Sequence, residues 1–256
     1  MGHRWRLLMA WRGDAYVGWQ RQPNGRSVQA TVESAISRFF GGVTVHAKAA
    51  GRLDAGVHSR GQVVAVDVPE ARSARAWIRG LSALLPGDIG CLAVAPCALG
   101  FNPRRAALGK HYRYRWREAQ APCPFRRLDL WHIRRPLDVE AMQQAARSLV
   151  GTHDFTSFRA SGCSAHTPIR TIDQIEVRRH DDEVIVDVFG PGFLRHQVRI
   201  IAGTLAEVGG GARAAQSVAG LLESPHRSRA GVTAPPHGLW LQSVHFDPPL
   251  AWEHAL

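Results

Sequence analysis

The chain has 256 residues, 45% of them apolar, enough to bury one large core or two modest ones. Its 32 Lys and Arg against 21 Asp and Glu leave a formal charge of +11, which points to a polyanionic partner and to nucleic acid first. No run of about 20 apolar residues and no leading basic-then-apolar segment occurs, and Cys91, Cys97, Cys123 and Cys163 form no CxxC pair, so the expectation is a soluble cytoplasmic protein with reduced thiols, no metal and no membrane.

In chain order, residues 4–11 alternate, with Trp5, Leu7, Met9 and Trp11 on one face, and predict a strand. Val28, Val32, Ala35, Ile36 and Phe39 recur at helical spacing over 28–40, with Ser27 as cap and Gly41-Gly42 as stop. Strands are expected at 43–49 and 62–68, a helix over 74–85 ending at Pro86-Gly87, and a strand running to about 97. The second half repeats this order. Strands are predicted at 110–117, 171–179, 183–189 and 239–246, with helices at 138–150, 193–208 and near 213–223. The expected fold class is α/β (α+β): two ferredoxin-like β-α-β-β-α-β subdomains, residues 1–105 and 106–256, whose mainly antiparallel sheets flank a central RNA-binding cleft.

Three segments carry chemistry. Gly51-Arg52-Leu53-Asp54-Ala55-Gly56-Val57-His58 lies between two predicted strands, where its glycines permit a tight loop that holds the Asp54 carboxylate rigidly. Along Lys110–Arg117, Tyr112, Tyr114 and Trp116 share one face and Arg113, Arg115 and Arg117 the other. Tyr114 and Trp116 read as core, whereas a tyrosine at the strand end suits stacking on a nucleobase. The arginine row fits a solvated face or a phosphate track equally well. Gly192–Arg199 opens the long helix, with Arg195 and Arg199 one turn apart. Arg199, among Val198, Ile200 and Ile201, calls for an anionic partner, for which Asp54 is the candidate.

Taken together these segments resemble the TruA-type tRNA pseudouridine synthase family. Residues 51–58 match its GRTDAGVH signature except at Leu53, where Thr is usual. Tyr16–Gln22 is similar to its YxGWQRQ, Leu85–Ile89 to LPGDI, Tyr112–Tyr114 to YRY, Asp154–Arg159 to DFTSF, Phe193–Arg199 to FLxxMVR with Gln197 in place of Met, and His237–Leu241 to GLYL. Seven collinear matches span residues 16 to 241. The resemblance implies conversion of uridine to pseudouridine at tRNA positions 38, 39 and 40, without a cofactor. It also implies Asp54 as the essential carboxylate, Tyr112 against the target base, Arg199 paired with Asp54, Arg52 holding the flipped nucleotide, and a homodimer on tRNA. An isomerisation needs no redox partner or energy source, and the sequence has no dinucleotide or P-loop fingerprint and no metal-ligand spacing. Two competing readings use the same residues: a non-catalytic RNA-binding protein of this fold, and a glycosidase-like enzyme acting on free nucleosides through Asp54.

Overall fold

The computed structural model describes residues Gly2–His254 and divides into two compact units. One holds the residues through Leu108 together with those from Leu241 on, and the other holds Gly109–Trp240.

The first unit is built from β1 (His3–Trp11), α1 (Val28–Phe39), β2 (Lys48–Ala49), β3 (His58–Val68), α2 (Ala74–Leu84), β4 (Ile89–Cys97) and a one-turn helix, α3 (Pro103–Ala106). Its sheet runs β4-β1-β3 with β2 on the far side of β3, and β1–β3, β1–β4 and β2–β3 all pair antiparallel. That is the ferredoxin-like order expected from the element sequence. The alternation in β1 is realised: Leu7 and Met9 are fully buried, with Leu7 opposite Val64 on β3 and Val94 on β4. Trp5, Phe39 and Phe40 close around the Trp77 ring of α2, at centroid distances of 5.7, 5.6 and 5.2 Å. Ser27 and Ser73 cap α1 and α2 by accepting the N–H of Ala30 and Ala76. The strand expected over 43–49 shrinks to two residues. The Ala47 N–H turns instead to the buried Glu33 carboxylate on α1, at 2.9 Å, and leaves the ladder.

The second unit comprises β5 (Gly109–Glu118), β6 (Trp131–Ile133), α4 (Val139–Arg147), β7 (Gly151–Asp154), β8 (Ile169–Ile172), β9 (Gln174–His180), β10 (Glu183–Gly190), α5 (Gln197–Gly209) and the short α6 (Gly220–Glu223). β5, β10 and β9 form an antiparallel sheet, and β7 pairs with β8 apart from it. The strand expected over 171–179 is therefore two strands, broken at Asp173, whose N–H goes to Phe189 O. The long helix starts at Gln197, four residues later than expected, because His196 adopts a left-handed backbone (φ 61°). Arg195 consequently lies before α5 and does not sit one helical turn from Arg199 on its face. The last strand, β11 (Leu239–His245), leads from the second unit into the first, where it neighbours β3. The division therefore falls after Leu108, and the closing segment belongs with the first half; the sequence expectation had one cut at 105/106. Among the described residues no helix is long and apolar enough to cross a membrane.

Candidate active site

In the first unit the loop bearing Asp54 is clamped from below by residues of the Tyr16–Gln22 segment. Trp19 N donates to Leu53 O at 3.0 Å and Gly56 N to Tyr16 O at 3.3 Å. Between them Gly18, at φ +103°, passes so close that a β-carbon there would lie 2.6 Å from Leu53 O and 3.0 Å from the Asp54 carbonyl carbon. Gly56, one of the two loop glycines expected to turn, does so with φ +77°.

The exit of the loop is fixed as firmly. The Trp11 indole donates to Val57 O at 3.2 Å, and Gly13 N donates to Nδ1 of the fully buried His58 at 2.9 Å. Accepting that bond requires a proton-free Nδ1, so His58 is a structural group of the loop. Asp88, from the Leu85–Ile89 segment, accepts the Tyr16 hydroxyl at 2.7 Å and its carbonyl accepts Arg12 N. Burial first, and the Asp88 bond second, push the Tyr16 phenol well above its usual value.

Three of the recognised segments are thus one hydrogen-bonded cradle. It leaves Asp54 half-buried and Arg52 exposed, while Leu53 is tucked in at 6% exposure. Leucine at 53 therefore anchors the loop by apolar burial and by its carbonyl, where a threonine would offer a hydroxyl.

In the second unit Tyr112 is 8% exposed on β5, opposite Val188, and its ring meets Phe193 edge-on at 5.3 Å. Arg199, half-buried in the first turn of α5, donates from Nε to Ala234 O at 2.8 Å and receives Ala234 N on its carbonyl. The Tyr114 hydroxyl donates to Pro235 O at 2.9 Å, and Gly238 packs against the Tyr114 ring with no room for a β-carbon. Burial lowers the pKa of His237, against a backbone hydrogen bond with Leu130 that raises it, and the Arg199 charge adds to the lowering. Tyr112, Arg199 and the 237–241 segment are therefore tied into one framework. Tyr114 and Trp116 are core, as expected, both with no exposed surface.

Gln197, the departure from Met, is 1% exposed and its Oε1 accepts Leu194 N at 2.8 Å, which fastens the turn ahead of Arg199. Just past the segment 154–159, Ala160 N donates to Arg195 O in the same turn, while the buried Ser157 is bonded to Leu221 O and His226 N. Arg195 itself turns to the Ser161 carbonyl at 3.2 Å.

The arginine row of β5 is neither a solvated face nor a phosphate track. Arg113 forks onto Asp187 at 2.8 and 3.1 Å, Arg115 onto Glu183 at 2.8 Å twice, and Arg117 meets Asp182 at 2.5 Å. All three acids lie on or just ahead of β10, the neighbouring strand. His111 and Arg178 also bind Asp187, and Arg126 binds Glu183. Burial opposes ionisation of Asp187, but hydrogen bonds from His111, Arg113 and Arg178 outweigh it and hold the carboxyl far below its usual range. Sequence reasoning missed this ladder because the acids that satisfy the arginines are about 65–75 residues away. Their alternation, Glu183 and Asp187 within a hydrophobic run, was the available signal. Among the described residues no group of three or more His, Cys, Asp or Glu is placed to hold a metal ion.

Comparison with known proteins bears on what this arrangement does. A family described as tRNA pseudouridine synthase matches residues 9–104 and 145–247, which takes in Asp54 and Arg199 and leaves Tyr112 in the gap. A protein named tRNA pseudouridine synthase A from Geobacter sulfurreducens is 47% identical over 241 residues, 94% of this chain and 98% of its own. Proteins of the same name from Myxococcus xanthus and Acidiphilium cryptum are 46% and 44% identical, each across 95% of this chain and 92% and 96% of their own.

Proposed function

This chain belongs to the tRNA pseudouridine synthase family, and from that premise we propose that it isomerises uridine to pseudouridine in the anticodon arm of tRNA, at positions 38, 39 and 40. The N1–C1′ bond breaks, the uracil turns, and a C5–C1′ bond forms. The C5 proton is lost and N1 takes one up, so substrate and product are isomers and no cofactor is consumed.

Breaking the glycosidic bond builds positive character on the ribose, which a fixed carboxylate is suited to meet. We assign that carboxylate to Asp54, stacking on the uracil to Tyr112, the cation that keeps the carboxylate ionised to Arg199, and a hold on the flipped nucleotide to the exposed Arg52. The carrying observation is the cradle around residues 51–58. Backbone hydrogen bonds from Trp19 and Gly56 and a glycine contact under Leu53 hold one loop still, and that loop presents a carboxylate. The overall charge of +11 suits a polyanionic substrate. On the same family reading the enzyme works as a homodimer in the cytoplasm, where sedimentation would report about twice the chain mass.

The test is tritium release from tRNA carrying [5-³H]uridine. Asp54→Asn should lower release by about 10²–10⁴-fold or more, the usual contribution of such a group, while tRNA affinity stays within a few-fold. Undiminished release from Asp54→Asn removes Asp54 from its role, and tRNA binding by the unaltered chain without any release makes it a non-catalytic RNA-binding protein.

A further inference from the structure

We propose that the groove between α1 and the Leu84-Leu85-Pro86 end of α2 is a second RNA contact, a seat for the phosphodiester backbone of tRNA beside the Asp54 loop; this rests on the tRNA-modifying reading above. The groove has a volume of about 510 Å³ and is lined by Arg26, Thr31, Ser34, Arg38, Leu85 and Pro86. Neither arginine has a carboxylate partner among the described residues, which sets both apart from the neutralised row on β5. Arg26 is nonetheless held in place. Its guanidinium lies 5.0 Å over the Tyr16 ring and its Nε points to Thr31 Oγ1 at 3.4 Å.

The elements that line the groove are mostly positive. With Arg26 just ahead of the Ser27 cap, α1 and α2 carry Arg38, Arg75 and Arg79 against one acid, Glu33, and Asp88, past Pro86, is taken by the Tyr16 hydroxyl. Glu33 is 4% exposed and already satisfied by Arg21, Gln29 and the Ala47 N–H, so it cannot offset them. From the Ser27 cap to Arg38 the helix rises about 17 Å at about 1.5 Å per residue. A duplex strand carries one phosphate per about 3.4 Å of axis, so that length faces several consecutive phosphates. The Ser34 hydroxyl lies between the arginines as a further donor to phosphate oxygen, whereas Thr31 Oγ1 already donates to Ser27 O at 3.0 Å.

Position ties the groove to the chemistry. Pro86 leads to Asp88, which holds the Tyr16 hydroxyl, and the Tyr16 carbonyl holds Gly56 N of the Asp54 loop. The Pro86 end of the groove is thus two hydrogen bonds from the loop that presents the carboxylate.

The experiment compares the unaltered chain with Arg38→Glu and with Arg38→Glu/Ser34→Glu, all surface changes whose folding is checked by circular dichroism. Anisotropy with a fluorescent tRNA transcript is followed over a salt series, and tritium release at saturating tRNA gives kcat. Arg38→Glu should weaken tRNA binding by about tenfold and flatten the dependence of log affinity on log salt by about one unit, with kcat unchanged. The double variant should go further in both. Affinity and salt slope equal to the unaltered chain's overturn the proposal, as does reduced binding of a polyglutamate probe with tRNA binding intact, which would make the groove a seat for acidic protein. If the unaltered chain releases no tritium while Arg38→Glu still loses tRNA binding, the groove stands and the isomerase reading falls.

Discussion

Gly18→Ala tests whether the cradle, and not the loop sequence alone, holds Asp54 in place. The added methyl would lie 2.6 Å from Leu53 O and 3.1 Å from Ala55 N, with the backbone at φ +103°. Holding a non-glycine residue there costs about 1–3 kcal/mol, and forcing an extra carbon into a filled space costs about 1–3 kcal/mol more. The sum is about 2–6 kcal/mol, and at about 2–4 °C per kcal/mol the melting temperature should fall by at least about 4 °C. The chain can relieve the clash only by lifting the loop, which stretches the 3.0 Å bond from Trp19 N to Leu53 O. A displacement of about 1 Å at a reacting group costs about 10²-fold in rate, so kcat should drop steeply while tRNA affinity holds. Gly41→Ala is the control: φ is +73° but nothing lies within 4 Å of the new carbon, leaving strain without collision. Calorimetry and tritium release on both variants decide the matter. If Gly18→Ala melts and turns over like Gly41→Ala, the cradle argument is wrong.

Two further outcomes follow from the same contacts. Asp187→Asn should destabilise the chain by about 3–5 kcal/mol at pH 7, because it strips a buried carboxylate from His111, Arg113 and Arg178. The folded pKa of Asp187 lies below the usual 3.8, so on acidification through that value the unfolded chain takes up the proton first and stability falls with pH. Urea unfolding at pH 7 and at pH 3 should therefore show a smaller loss for Asp187→Asn than for the unaltered chain, and equal losses would refute the assignment. Leu53→Thr, which restores the residue usual in the signature, should cost about 1–2 kcal/mol through lost apolar burial and leave kcat within a few-fold. A faster and equally stable Leu53→Thr would mean the hydroxyl, not burial, is what the loop needs.

The sequence by itself determined the β-α-β-β-α-β order of the first half and the main strands and helices of the second, because period-2 and period-3.6 burial are local and the cap Ser27 is adjacent to what it caps. It also singled out Asp54, Tyr112, Arg52 and Arg199, through motif resemblance. Tertiary structure alone decided how the Asp54 loop is held. Gly18 is under Leu53, Asp88 is on Tyr16, and His58 caps Gly13 across distances of 35 to 72 residues that no window of sequence connects. The arginines of β5 were ambiguous for the same reason. A guanidinium row is a phosphate track or a neutral ladder according to the strand beside it, and only pairing with β10 put Glu183 and Asp187 within 3 Å of it. The start of α5 turned on one left-handed residue, His196, which helical periodicity cannot register because the side-chain pattern continues through it.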